Sequence, residues 1–125
     1  MTPFGERIRQ LRQQKQVTMK EMAKAIGVSA AYLSALEHGN RGRPSWYLLQ
    51  RTISYFNIIW DDAEELVRLA RLSHPKITID TSGLSPKATE LSNRLADEIK
   101  NMTSEQIEQH LQLIDQTDPD NKTFQ

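Results

Sequence analysis

Apolar residues return every three or four positions along most of this chain, which predicts a succession of short helices. Thr2-Pro3 reads as an N-cap followed by proline at the first helical position, and Phe4, Ile8 and Leu11 carry a first helix to about Lys15. Thr18, with Glu21 three residues later, forms a capping box that opens a second helix, and Gly27 stops it. Ser29 caps a third helix from Ala30 to His38, which ends at Gly39. Residues 39–44, Gly-Asn-Arg-Gly-Arg-Pro, are a loop by composition. Ser45 caps a fourth helix carrying Leu48, Leu49, Ile53 and Phe56. Asp61 with Glu64 reads as another capping box, starting a fifth helix with Leu66, Leu69 and Ala70 inward.

The pattern changes after residue 72. Residues 76–81 alternate apolar and polar side chains, which predicts a short half-buried strand. Nothing else reads as a strand, and a lone strand leaves its backbone groups unpaired. The simplest partner is the same strand of a second chain. Ser85-Pro86 opens a sixth helix with Ala88, Leu91, Leu95 and Ile99 on one stripe, and Thr103 caps a seventh with Ile107, Leu111 and Ile114. Residues 116–125 have no periodicity and are expected to be disordered. The predicted fold class is all-α: a five-helix head at 1–72, then a strand and two helices at 73–115 that form a dimerisation region. Ile77, Ile79, Leu91, Leu95, Ile99, Ile107 and Leu111 are its expected interface.

Composition adds a direction to this picture. The 125 residues have no net charge, but the charge is segregated. Residues 1–51 hold nine Lys/Arg against three Glu, while residues 73–125 hold five basic against nine acidic residues. A basic head points the first half at an anion. Without Cys there is neither a disulfide framework nor thiolate chemistry. The apolar runs are too short to span a bilayer and the N-terminus lacks a signal-peptide pattern, so the expectation is a cytoplasmic protein with no membrane partner.

The second and third helices fit a bihelical DNA-reading unit. A steep crossing needs a small residue at the contact, supplied by Ala23, and the turn needs a residue tolerating φ > 0, supplied by Gly27. Met22, Ile26, Val28, Leu33 and Leu36 fill the inner positions, and no proline interrupts residues 15–43. The stretch from Ile26-Gly27-Val28-Ser29 through Leu36-Glu37-His38-Gly39, followed by Gly42-Arg43-Pro44-Ser45, resembles the lambda-repressor-like, Cro/C1-type helix-turn-helix family, also called xenobiotic-response-element-type regulators. The resemblance covers residues 4–57, and residues after 72 lie outside it.

That resemblance implies a transcriptional regulator with duplex DNA as partner, and the unpaired strand beside two amphipathic helices implies that it acts as a homodimer. Its third helix (29–38) would lie in the major groove and the loop 39–45 on phosphates. Groove contacts fall to Ser29, Ala30, Ala31, Tyr32, Ser34 and Ala35. Phosphate contacts fall to Thr18, Lys20, His38, Asn40, Arg41, Arg43, Ser45 and Trp46, drawing on cations, glycine-allowed backbone approach and helix N-termini. Arg12 and Glu37 match a buried structural ion pair of the family. The chain also departs from the pattern. Met19 stands where the family usually has a phosphate-binding Gln, and Ala30, Ala31 and Ala35 stand at base-reading positions. Alanine makes no bidentate bonds to bases, so preference would come from thymine methyls and DNA shape. The competing reading is a helix pair turned to protein contact, as in an antitoxin or adaptor with a protein partner. A small-molecule sensor ranks last, since a tail of this length is short for an enclosed pocket.

No cofactor, metal or enzymatic activity is expected. His38, His74 and His110 are scattered, and Asp61, Asp62, Glu64 and Glu65 sit where they complement a helix dipole. No nucleophile elbow, phosphate-binding glycine loop or HExxH motif occurs.

Overall fold

The computed structural model describes residues 1–117, and contacts divide it into two units between Ile77 and Thr78. The first unit holds α1 (Pro3–Lys15), α2 (Met19–Ile26), α3 (Ala30–Glu37), α4 (Trp46–Tyr55) and α5 (Trp60–Arg71). The second holds α6 (Pro86–Glu98), a 3₁₀ turn (Ile99–Asn101) and α7 (Ser104–Asp115). The architecture among the described residues is all-helical.

Helix starts in the first unit follow the expected caps. Thr2 Oγ1 accepts the Gly5 N–H at 3.0 Å, Ser29 Oγ accepts that of Tyr32 at 3.0 Å and Ser45 Oγ that of Leu48 at 3.1 Å. The Thr18–Glu21 capping box is closed in both directions. Gly27 ends α2 at φ 81°, the left-handed turn that only glycine adopts freely. The fifth helix differs from expectation. It begins at Trp60 with Ile59 as N-cap and no side-chain cap, so Asp61 and Asp62 lie inside its first turn. There they complement the helix dipole and cannot form the expected Asp61–Glu64 box.

One core joins the five helices. Phe4, Ile8 and Leu11 of α1 meet Met22, Ala23 and Ile26 of α2, Leu33 and Leu36 of α3, Leu48 and Leu49 of α4, and Leu66 and Ala70 of α5. Ala23 is 1% exposed where α2 packs on α3, as a steep crossing requires. Burying one such Leu, Phe or Met side chain contributes roughly 1.5–3 kcal/mol. Ser73 also belongs to this unit: it is 2% exposed, and its Oγ accepts the Phe4 N–H at 2.9 Å. The first unit therefore runs five residues past the expected boundary at 72, to Ile77.

The expected strand at 76–81 is absent. No segment among the described residues pairs with it, and without a ladder alternation alone makes no strand. Ile77 and Ile79 are 72% and 55% exposed. The chain forms a turn next, with the Ser82 N–H on the Asp80 carboxylate at 2.9 Å and the Leu84 N–H on the Thr81 carbonyl at 3.0 Å.

In the second unit Ser85 caps α6 with Pro86 at its start, and Thr103 and Gln106 form a closed capping box on α7. Neither helix buries a residue. Leu95 and Met102 are half-buried, whereas Leu91, Ile99, Ile107 and Leu111 are exposed. The expectation for residues 118–125 falls outside the described residues.

Candidate nucleic-acid interface

α3 turns its buried side, Leu33, Leu36 and Glu37, to the core. Ser29 and Ala31 are exposed, and Ala30, Tyr32, Ser34 and Ala35 are partly so. The outward face is thus small and nearly featureless in hydrogen-bonding terms. Its polar groups are Ser29 Oγ, already accepting at the cap, together with Ser34 and the Tyr32 hydroxyl.

The loop that follows is tied to α3 by its backbone. The Gly39 N–H reaches the Leu36 carbonyl at 3.2 Å and the Asn40 N–H reaches that of Ala35 at 2.9 Å. His38 is exposed, and its Nδ1 lies 2.8 Å from the Ser34 carbonyl, to which the ring N–H donates. Arg41 and Arg43 stand out from this frame on either side of Gly42, which has φ 74°. The Arg41 guanidinium lies 5.8 Å from the Tyr32 ring centroid, which joins the loop to the exposed face of α3. Among the described residues no ion pair involves either arginine. Among the described residues, two cations therefore stand without a carboxylate partner beside α3.

The start of α4 lies opposite. Ser45 caps it, and Trp46 and Tyr47 are 66% and 67% exposed. Ser29, Tyr32, Ser45, Tyr47 and Arg51 line one shallow cleft between the beginnings of α3 and α4. The structure thus brings together the expected groove residues of α3 with Arg41 and Ser45. Thr18 and Lys20 stand at the start of α2, where the Thr18 hydroxyl is committed to its capping box.

Arg51 belongs to this surface and was not among the expected contacts. Its guanidinium stacks 4.2 Å over the Tyr47 ring, and Nη1 donates to the Ile26 carbonyl at the end of α2, 2.9 Å away. A sequence signal existed in the i, i+4 spacing of Tyr47 and Arg51. The bond to Ile26, 25 residues earlier, had none.

The Arg12–Glu37 pair is buried behind the site. Nη1 meets Oε1 and Nη2 lies 3.5 Å from Oε2, with side-chain exposures of 9% and 0%. It links α1 to the end of α3 and so sets the helix that carries the outward face. Of the expected dimer residues, Ile77 ends the first unit, and Ile79, Leu91, Leu95, Ile99, Ile107 and Leu111 belong to the second. No helix among the described residues is long and apolar enough to cross a membrane, and no cluster of three or more metal-ligating side chains occurs there.

The family model described as "Helix-turn-helix domain" matches residues 3–58, the stretch that spans α1 to α4. Among curated proteins of Bacillus subtilis (strain 168), the chain is 29% identical over 62 residues to the uncharacterized HTH-type transcriptional regulator RghRB, covering 50% of this chain and 45% of that protein. It is 46% identical over 44 residues to the HTH-type transcriptional repressor RghR, covering 35% of this chain and 33% of that one. It is 39% identical over 59 residues to the uncharacterized HTH-type transcriptional regulator YazB, covering 47% of this chain and 84% of that protein. The chain thus spans less than half the length of RghRB and RghR and most of YazB.

Proposed function

We propose, from the premise that this chain belongs to the helix-turn-helix family of transcriptional regulators, that it binds duplex DNA as a homodimer, with α3 in the major groove and residues 39–45 on the phosphates. The observation that carries this reading is the pair of exposed cations, Arg41 and Arg43, unpaired among the described residues, on a loop fixed by its backbone beside the exposed face of α3. A phosphate chain neutralises such cations without a sequence requirement, while the groove is read by the helix. The alanine face favours close approach and contact with thymine methyl groups over bidentate bonds. Preference would then come largely from DNA shape and from the spacing of two heads. Such a role places the protein in the cytoplasm, with the DNA.

Selection of the purified chain against random duplex DNA at two salt concentrations tests this. A two-fold symmetric site is expected, with affinity falling steeply as salt rises. Arg41→Ala/Arg43→Ala should lower the magnitude of the salt slope by roughly 1.8, or about 0.9 for each phosphate no longer neutralised. An unchanged slope in the double variant would remove the loop from the interface.

The second unit supports the dimer. Its helices hold no fully buried residue, and Leu91, Ile99 and Leu111 are 58%, 55% and 49% exposed, an apolar surface that a second copy would cover. Light scattering at tens of micromolar should return twice the 14.4 kDa chain mass. A monomeric mass would rule the dimer out. The same uncovered helices favour a second reading, an adaptor or antitoxin that holds another protein. That reading gains if the chain shows no salt-sensitive DNA binding at all.

A further inference from the structure

The segment after α5 does not leave the first unit where the helix ends. Ser73 pins it: Oγ donates to the Leu69 carbonyl at 2.5 Å and accepts the N–H of Phe4 at 2.9 Å. Pinned there, the next residues cross the loop after α3. A β-carbon on Gly39 would lie 3.6 Å from the Pro75 Cβ, and one on Gly42 would lie 3.6 Å from the His74 Nε2. Linker and loop therefore lie side by side.

The His74 ring is oriented as well as placed. Its Nδ1 accepts the Lys76 N–H at 3.1 Å, so the neutral ring carries its proton on Nε2. That nitrogen is on the edge turned to Gly42, between Arg41 and Arg43. Among the described residues no acceptor meets it. His74, Lys76, Arg41 and Arg43 are all exposed, and among the described residues none is in an ion pair. The His74 donor beside the loop of Arg41 and Arg43, with Lys76 two residues further along the same exposed linker, suits a ligand with repeated anionic oxygens.

We propose that the linker is part of the DNA-contacting surface, with the Nε2–H of His74 and the ammonium of Lys76 taking phosphate oxygens next to those held by Arg41 and Arg43. The proposal rests on the reading that residues 39–45 meet phosphate. It extends that contact to a segment 32 residues further along the chain, outside the matched helix-turn-helix stretch. The same residues that lead out of the head would then be held against DNA whenever the head is bound.

The test uses the full chain and a fixed duplex, titrated between 50 and 200 mM salt, with melting curves to show that each variant is folded. Lys76→Ala should lower the salt slope by about 0.9, the value for one phosphate. His74→Ala should weaken binding roughly tenfold, the low end for a hydrogen bond to a charged group. His74→Gln, which keeps an N–H donor at that reach, should stay within about threefold of the parent. Lys87→Ala, a surface lysine of α6, should change neither quantity. If Lys76→Ala and His74→Ala behave like Lys87→Ala while Arg41→Ala/Arg43→Ala loses affinity, the linker proposal is wrong and the loop reading stands. Equal losses in His74→Ala and His74→Gln would make the ring a packing element and overturn its role as donor. If the parent itself shows no salt-sensitive binding, both readings fall together.

Discussion

Glu37→Ala is expected to destabilise the first unit by about 3–5 kcal/mol, although it removes a surface-type residue from the last position of a helix. Glu37 has no exposed side-chain area and Arg12 has 9%, so neither charge is hydrated. The two ends of the guanidinium meet the two carboxylate oxygens, which satisfies both groups inside the core. Removing the carboxylate leaves a buried guanidinium with no partner, and the loss is mostly the desolvation of that stranded charge. Arg12→Ala strands the carboxylate in the same way. Replacing both at once, as in Arg12→Met with Glu37→Leu, removes the stranded charge and should recover most of the loss, since buried pairs often exchange for apolar residues at little net cost. Urea denaturation of the two single variants and the double variant forms a cycle that isolates the coupling. Single variants that unfold at the parent's midpoint would mean the pair is not buried in solution. Because the pair ties α1 to the end of α3, a weakened pair also loosens the helix proposed to enter the groove.

What could be seen in the sequence was what local chemistry decides. Thr2, Thr18, Ser29, Ser45, Ser85 and Thr103 each accept the backbone N–H their position implies, because an N-cap needs only the next three residues. The inward positions Phe4, Ile8 and Leu66 followed from helical period, and Met22, Ile26, Leu33 and Leu36 from the fixed apolar positions of the bihelical unit. The two failures share a cause. Asp61–Glu64 has the spacing of a capping box, but the chain re-enters helix at Trp60, so both acidic residues are already past the cap. Residues 76–81 have the alternation of a strand, but pairing is a property of a second segment, and none is present among the described residues. A local pattern proposes an element without supplying its context.

The candidate site divides along the same line. Arg41, Arg43 and the exposed face of α3 were legible because a tight turn and a glycine-bearing loop fix them within a few residues. The burial of the Arg12–Glu37 pair was reachable only through resemblance to a family, since its partners are 25 positions apart. Arg51 on the Ile26 carbonyl and His74 beside Gly42 were not legible by either route. Both depend on where five helices place distant backbone, and side-chain type alone does not report that.

Gly5→Ala is the second change expected to be severe, and intrinsic propensity predicts the opposite sign. Gly5 sits in the first turn of α1, where alanine is ordinarily the better helix former by about 1 kcal/mol. A β-carbon there would lie 2.2 Å from the Glu37 carbonyl oxygen and 2.7 Å from the Glu37 Cα. These are backbone atoms at the end of α3, so no side-chain rotation relieves the overlap. Relief requires α1 to move off α3. The Thr2 N–H, 3.0 Å from the same Glu37 carbonyl, would have to move with it, and the buried Arg12–Glu37 pair would be strained. A loss of about 3 kcal/mol or more is expected, at the upper end for an overfilled core because the obstacle is main chain. Gly83→Ala provides the contrast: it too adds one carbon, but no heavy atom lies within 4 Å, so only its φ of 79° resists the change. Urea midpoints for the two variants compare steric with conformational penalty directly. A Gly5→Ala protein as stable as the parent would mean that α1 and α3 do not approach this closely in solution. The expected result instead makes Gly5 the residue that lets the end of α3, the helix proposed to face DNA, dock on α1, and on that proposal a Gly5→Ala chain that still folds should bind DNA more weakly with Arg41 and Arg43 intact.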